Sequence, residues 1–273
     1  MYLEFLGLRE KPFSITADPS FLYLSRKHRE ALSHMVYGIR ERKGFVESTG
    51  EVGTGKTTLC KALLRQLDPT VRTALILQPQ ISELQLLQAI VQDFGMNPMR
   101  AGGRLSLFTQ LNTFLLEQTD LGHNVVLVID EAQNLPLRLL EQIRLLSNLE
   151  TDKNKLIQII LVGQPQLRDK LATPSLEQLR QRIGVRYHMT ALDKDEVATY
   201  IHHRLRVAGS DGRLDWLPDG LDEVYQCSRG IPRLINLICD RSLLACYVFR
   251  VRRVDAEIVR HSFQELSGQV LVS

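Results

Sequence analysis

Eight residues, "GEVGTGKT" (50 to 57), constrain this chain more than any other stretch. They match G-x-x-x-x-G-K-[ST] at each fixed position and stand between a short apolar run, "FVEST" (45 to 49), and a helical segment, "KTTLCKALLRQL" (56 to 67). Strand, glycine loop, helix is the order the motif needs if its backbone is to cradle phosphate. Gly50, Gly53 and Gly55 let the chain turn tightly and aim N–H groups at phosphate oxygens, and the helix N-terminus adds a partial positive charge. Glu51, Val52, Thr54 and Thr58 fall within the same cradle. Lys56 is placed to reach the β and γ phosphates, and the Thr57 hydroxyl to bind magnesium. The expected ligands are therefore ATP and Mg2+.

The strand-like run "VVLVIDEAQNL" (125 to 135) supplies a matching half. An unbroken apolar strand is the kind buried on both faces of a parallel sheet, and ligands of such sheets bind beyond the carboxyl ends of the strands. Asp130 is the expected magnesium ligand, through the ion's water shell, and Glu131 the general base that polarises the attacking water. Two adjacent acids before Pro136 also suit a helix N-cap, and that reading stands as the alternative.

Around these motifs the pattern alternates. Strands are predicted at 45–49, 71–77, 124–130, 155–163 and 184–189, with helices between them, which argues an α/β fold built on a parallel sheet flanked by helices. From Leu192 the segments "DKDEVATYIHHRLRVAG", "PDGLDEVYQCSRG", "IPRLINLICDRSLLACYVF" and "DAEIVRHSFQEL" all read as helices. The expected organisation is an N-terminal segment and helix (1–43) joined to the core, a nucleotide-binding α/β core (44–190) and a small all-helical lid domain (191–273). Lys and Arg outnumber Asp and Glu by 34 to 31, an excess too small to argue for nucleic acid or a membrane surface. The four cysteines form no CxxC pair and have no His at zinc spacing, so buried, reduced thiols are expected. With charges too early for a signal peptide and no apolar run of the roughly 18 to 20 residues a spanning helix needs, a cytoplasmic protein is expected.

The residues quoted so far resemble the AAA+ ATPases. With "YLEFLGLREKPFSITADPSFLYLSRKHREAL", "LVGQPQL", "LEQLRQRIGVRYHM" and "GIPRLIN" added, the chain looks like the ExeA/GspA-like ATPases found with type II secretion, type IV pilus and exopolysaccharide loci, from Tyr2 to about Leu266. That resemblance implies a sensor role for Gln164, which would help orient the water near the γ-phosphate, and a second sensor role for Arg233 in "GIPR". It implies an arginine finger offered in trans, with Arg182 preferred, Arg180 second and Arg186 also present in "LRQRIGVR". It therefore implies a homo-oligomer, a ring such as a hexamer. Tyr23 and Leu24 fall where such proteins contact adenine, with simple packing as the alternative reading. His188, His202 and His203 have no partner at a recognisable spacing and are expected to be ordinary surface or core histidines.

The family also implies partners in an envelope export or pilus machinery, and peripheral association with the inner membrane through them. Its founding members continue into a membrane helix and a peptidoglycan-binding module, so a shorter cytoplasmic member and an excised ATPase domain both fit this sequence. The related transposition ATPases suggest a different class of function, an ATP-dependent DNA-binding regulator, for which "SRKHRE", "IRERK" and "VFRVRRV" are the basic clusters.

Glu47 is the anomaly in the strand that feeds the glycine loop. A buried carboxylate is costly unless paired, so it is expected either to meet a basic residue nearby in the fold, with a subunit boundary as one location, or to be locally satisfied.

Overall fold

The computed structural model describes residues 2–15, 18–77, 79, 82–98, 103–150 and 155–268. The chain divides into two compact units: His28–Glu51 with Leu59–Met189, and Met1–Lys27 with Val52–Thr58 and Thr190–Ser273.

The first unit is built on five parallel strands, β1 (Phe45–Gly50), β2 (Arg72–Ile76), β3 (Val125–Ile129), β4 (Gln158–Gly163) and β5 (Ile183–Met189), in the order β2-β3-β4-β1-β5. β1, β3 and β4 are buried along their whole length, which is why "VVLVI" and "IILV" carry no polar alternation. One face of the sheet forms a core in which Leu127, Ile129, Ile159 and Leu161 pack with Leu140, Ile143 and Leu167. The flanking helix Glu83–Asp93 starts at a capping box, Ser82 and Gln85 each bonding the other's backbone N–H. Because all five strands run one way, Gly50, Asp130 and Gln164 leave β1, β3 and β4 at the same edge of the sheet.

In β1 the odd carboxylate finds its partner. Glu47 is 3% exposed and lies in register with Arg186 of β5, whose Nε is 3.3 Å from Glu47 Oε2. The basic residue anticipated from the sequence is thus supplied by the neighbouring strand of the same chain. Burial still pushes the Glu47 carboxyl above its ordinary value, with Arg186 and Arg168 pulling it part of the way back. A carboxyl whose folded pKa is raised binds more protons in the folded state, so its contribution to stability is lost as pH rises from the ordinary value through the raised one. Ionised Glu47 is therefore a net cost at neutral pH. Glu47→Gln, which keeps an acceptor for Arg186, is expected to melt on the order of 2 °C higher than wild type near neutral pH, the gain vanishing as pH falls to about 4. Arg186→Met, which strands the carboxylate, should instead cost about 1–3 kcal/mol. Melting curves of the three proteins across that range check both signs; a lower melting point for Glu47→Gln at neutral pH would contradict the assignment.

The second unit is mainly helical, with helices Lys194–Val207, Pro218–Ser228, Pro232–Val248 and Ala256–Ser267. It is not all helix as expected: β6 (Asp215–Trp216) and β7 (Arg253–Val254) form a parallel pair. Two-residue strands leave too short an alternation to be read in sequence. The N-terminal segment also differs from the expected organisation. Residues up to Lys27 group with this unit and not with the sheet, and Leu6, Phe13 and Phe21 join Val197, Ile201, Ile235 and Cys239 in its core. Arg204, 6% exposed, holds them there. It donates to the carbonyls of Pro12 (2.5 Å) and Ser14 (3.2 Å) and to the Tyr200 hydroxyl (2.9 Å), with its guanidinium 4.9 Å from the centre of the Phe21 ring. Cys60, Cys239 and Cys246 are buried and Cys227 partly so. Burial pushes the Cys246 thiol up to about 12 and Cys227 to about 11, which leaves both protonated and unreactive at neutral pH.

Candidate functional site

The phosphate loop follows β1 and ends in the helix Lys56–Gln66. Gly53 and Gly55 adopt φ of +82° and +97°, which side chains resist. Gly53 has a second reason to be glycine: a Cβ there would lie 2.7 Å from the Cβ of Arg233. Its carbonyl accepts the Arg233 N–H at 3.2 Å, so the structure brings the loop and the second sensor candidate together at the start of the helix Pro232–Val248. The Arg233 side chain is exposed. Thr54 is 1% and Lys56 6% exposed. The loop runs on positive-φ glycines into the N-terminus of the helix Lys56–Gln66, whose partial positive charge favours an anion. The loop thus fits a phosphate. Thr57 and Thr58 are half-buried, and Glu51 and Val52 exposed.

Tyr23 is held in an aromatic cluster, its ring centroid 5.8 Å from Tyr200 and 5.5 Å from His203, and Leu24 beside it is half-buried. Burial lowers the His203 pKa, which keeps that ring neutral. These contacts pack one part of the Tyr23 ring against Tyr200 and His203 of its own unit.

At the end of β3, Asp130 is 1% exposed, its N–H bonded to the Ile76 carbonyl at 2.8 Å and its Oδ1 accepting the Glu131 N–H at 2.9 Å. Glu131 stands at φ 52°, ψ 35°. A left-handed non-glycine costs roughly 1–2 kcal/mol, and such strain collects where geometry is dictated by function. The helix-cap alternative does not describe this carboxylate: Glu131 makes no side-chain cap to the 3-10 turn Ala132–Asn134, and the next helix, Leu137–Leu146, is preceded by Pro136 without a side-chain cap. Instead Glu131 Oε2 accepts the Gln164 amide Nε2–H at 3.2 Å and that of Gln133 Nε2. The structure therefore brings the base candidate and the first sensor candidate into contact. Gln133 is the residue sequence reasoning missed; its one signal was an amide two places after the acid in "IDEAQNLP".

The three arginines separate. Arg182 donates from Nη1 to Ser147 Oγ at 3.0 Å, and Ser147 is 0% exposed. Arg186 is engaged by Glu47 and by the Arg180 carbonyl, to which Nη2 donates at 2.6 Å. The Arg180 side chain, on the helix Glu177–Arg182, is exposed. No cluster of three or more His, Cys, Asp or Glu able to hold a metal occurs among the described residues. The oxygen donors expected from Thr57 and Asp130, one hydroxyl and one carboxylate, suit Mg2+, which keeps several waters and takes its remaining ligands from phosphate. His188 pairs its Nδ1 with Thr49 Oγ1 at 3.0 Å.

A parallel sheet of this order, with a glycine loop after β1 and an acidic pair after β3, is the P-loop fold of the AAA+ type. The family described as AAA domain matches residues 39–171. General secretion pathway protein A of Aeromonas hydrophila is 44% identical over 268 residues, which cover 98% of this chain and 49% of that protein. The chain thus spans about half the length of that relative. Among solved structures, the Aeropyrum pernix ORC2 protein in its ADPNP-ADP complexes superposes with a TM-score of 0.68 at 19% identity, over 94% of this chain and 71% of that one. Cdc6p of Pyrobaculum aerophilum gives 0.68 at 20% identity, over 93% and 70%. Residues 39–171 thus carry an AAA domain, and over nearly its whole length the chain is a homologue of general secretion pathway protein A. Among the described residues no helix is long and apolar enough to cross a membrane.

Proposed function

We propose that the protein hydrolyses ATP to ADP and phosphate, acts as an oligomer, and serves the assembly of an envelope secretion, pilus or exopolysaccharide export system from the cytoplasmic side, meeting the inner membrane through its partners. The observation that carries the chemistry is the Glu131 carboxylate, set in a left-handed backbone and held by the amide of Gln164 from the adjacent strand end. In this reading the loop from Gly50 to Thr58 and Arg233 bind the nucleotide, and Tyr23 and Leu24 lie toward adenine. Thr57 and Asp130 hold Mg2+, which when bound screens phosphate charge. Water attacks the γ-phosphorus in line, giving a proton to Glu131 as the bond to the ADP oxygen breaks and that oxygen keeps the electron pair. Lys56 offsets the charge that develops on the phosphoryl oxygens, and Gln164 helps to orient the water.

The arginine supplied by a neighbouring subunit is assigned to Arg180. Arg182, the first choice from sequence, is tied to buried Ser147, and Arg186 to Glu47, whereas Arg180 is free to extend outward. The envelope role rests on the 44% identity to a protein named for general secretion. The DNA reading draws less support, because Arg250 and Arg252 of the strongest basic cluster lie over the Phe5 and Tyr247 rings of their own unit. Turnover per subunit should rise with protein concentration as the oligomer forms. Arg180→Ala should lower it about 10³-fold at concentrations that saturate wild type, and Arg182→Ala far less. The reverse order, with both variants folded, returns the finger to Arg182; turnover independent of concentration sinks the trans mechanism.

A further inference from the structure

Gln133 has both ends of its side chain committed. Its Nε2 donates to Glu131 Oε2, and its Oε1 accepts the backbone N–H of Gln164 at 3.0 Å. β4 ends on Gly163 where a Cβ would lie 2.8 Å from Gln133 Oε1, so the strand leaves room for this amide.

These bonds are not what holds the turn. Asn134 N–H bonds the Glu131 carbonyl at 2.9 Å, Leu135 N–H bonds the Ala132 carbonyl at 3.1 Å, and Lys170 Nζ donates to the carbonyls of Gln133 (2.5 Å) and Leu135 (2.8 Å). The backbone is closed by main-chain bonds and by a lysine from the helix Pro165–Leu171, which frees the Gln133 amide for the carboxylate it touches. A glutamate's last torsion is broad and two-fold, so an unheld carboxylate sweeps through many orientations. Two amide donors on the same oxygen fix its plane and leave Oε1 as the oxygen that faces a reactant. Because Gln133 also grips the backbone of Gln164, one side chain sets the base and the sensor together.

We propose that Gln133 is the positioning residue of the ATP-hydrolysing centre, aiming Glu131 and fixing Gln164 relative to it; the inference rests on Glu131 being the base. The test compares Gln133→Met, close in shape but without a donor, with Gln133→Glu, which sets a second carboxylate against the first. ATP turnover, KM, ATP affinity and melting temperature are measured on each. The expected result is kcat lowered about tenfold in Gln133→Met, the worth of one hydrogen bond to a charged group, and about 10²-fold in Gln133→Glu, as misplacement of a reacting group predicts. KM, affinity and melting temperature stay at wild-type values. Both variants turning over at the wild-type rate overturns the proposal, and so does a loss of kcat matched by a rise in KM and a fall in melting temperature, which marks a role in folding alone. A Glu131→Gln protein that still hydrolyses ATP overturns the base assignment beneath it, and is read separately from either Gln133 variant.

Discussion

In Glu131→Gln, ATP hydrolysis falls by roughly 10² to 10⁴-fold, the usual worth of a general base, while ATP binding is retained. The amide fills the same volume, and Gln164 and Gln133 can still donate to its oxygen, so the strained turn at φ 52° keeps its bonds. What the variant lacks is the capacity to take a proton from water. The measurement is steady-state phosphate release alongside ATP binding by calorimetry. Turnover at the wild-type rate would remove Glu131 from the chemistry, and loss of binding would mean that it serves the nucleotide itself. Asp130 is a weaker candidate for proton acceptor because one of its oxygens already accepts the Glu131 N–H and it is 1% exposed.

The features legible in sequence were those with a local cause. The unbroken "VVLVI" announces a strand buried on both faces, the Ser82 and Gln85 pair announces a helix start, and "GEVGTGKT" fixes a loop whose glycines take positive φ. The missed features each depend on a partner far along the chain. Gln133 matters because β4 lies beside β3 and delivers Gln164 to the end of the same turn, 31 residues away. Glu47 meets Arg186 because β5 pairs with β1 at one register, which no pattern within either strand specifies. The allegiance of residues 1–27 is set by Arg204, which reaches the Pro12 carbonyl 192 residues back. An arginine in the middle of "YIHHRLRVAG" reads as a solvated helix position until the chain that covers it is known. The contact of Arg182 has the same cause, since its acceptor Ser147 follows the helix Leu137–Leu146 and is invisible from "LRQRIGVR".

Lys56→Ala is expected to abolish nucleotide binding, and with it the stabilisation that ATP and Mg2+ confer on the wild type. A ligand that binds only the folded state at about 100 times its Kd adds roughly 2.7 kcal/mol, so wild type should melt several degrees higher with Mg-ATP than without, and the variant should melt at the same temperature in both. Lys56 is 6% exposed at the first turn of the helix Lys56–Gln66. There a bound anion meets both its positive charge and the partial positive charge of the helix N-terminus. Alanine removes the anion's counter-charge in the complex. A variant that still gains the full shift with Mg-ATP would show that the backbone N–H groups of the loop carry the affinity alone. A variant that unfolds without ligand would assign Lys56 to the architecture of the loop and leave phosphate recognition to the glycines.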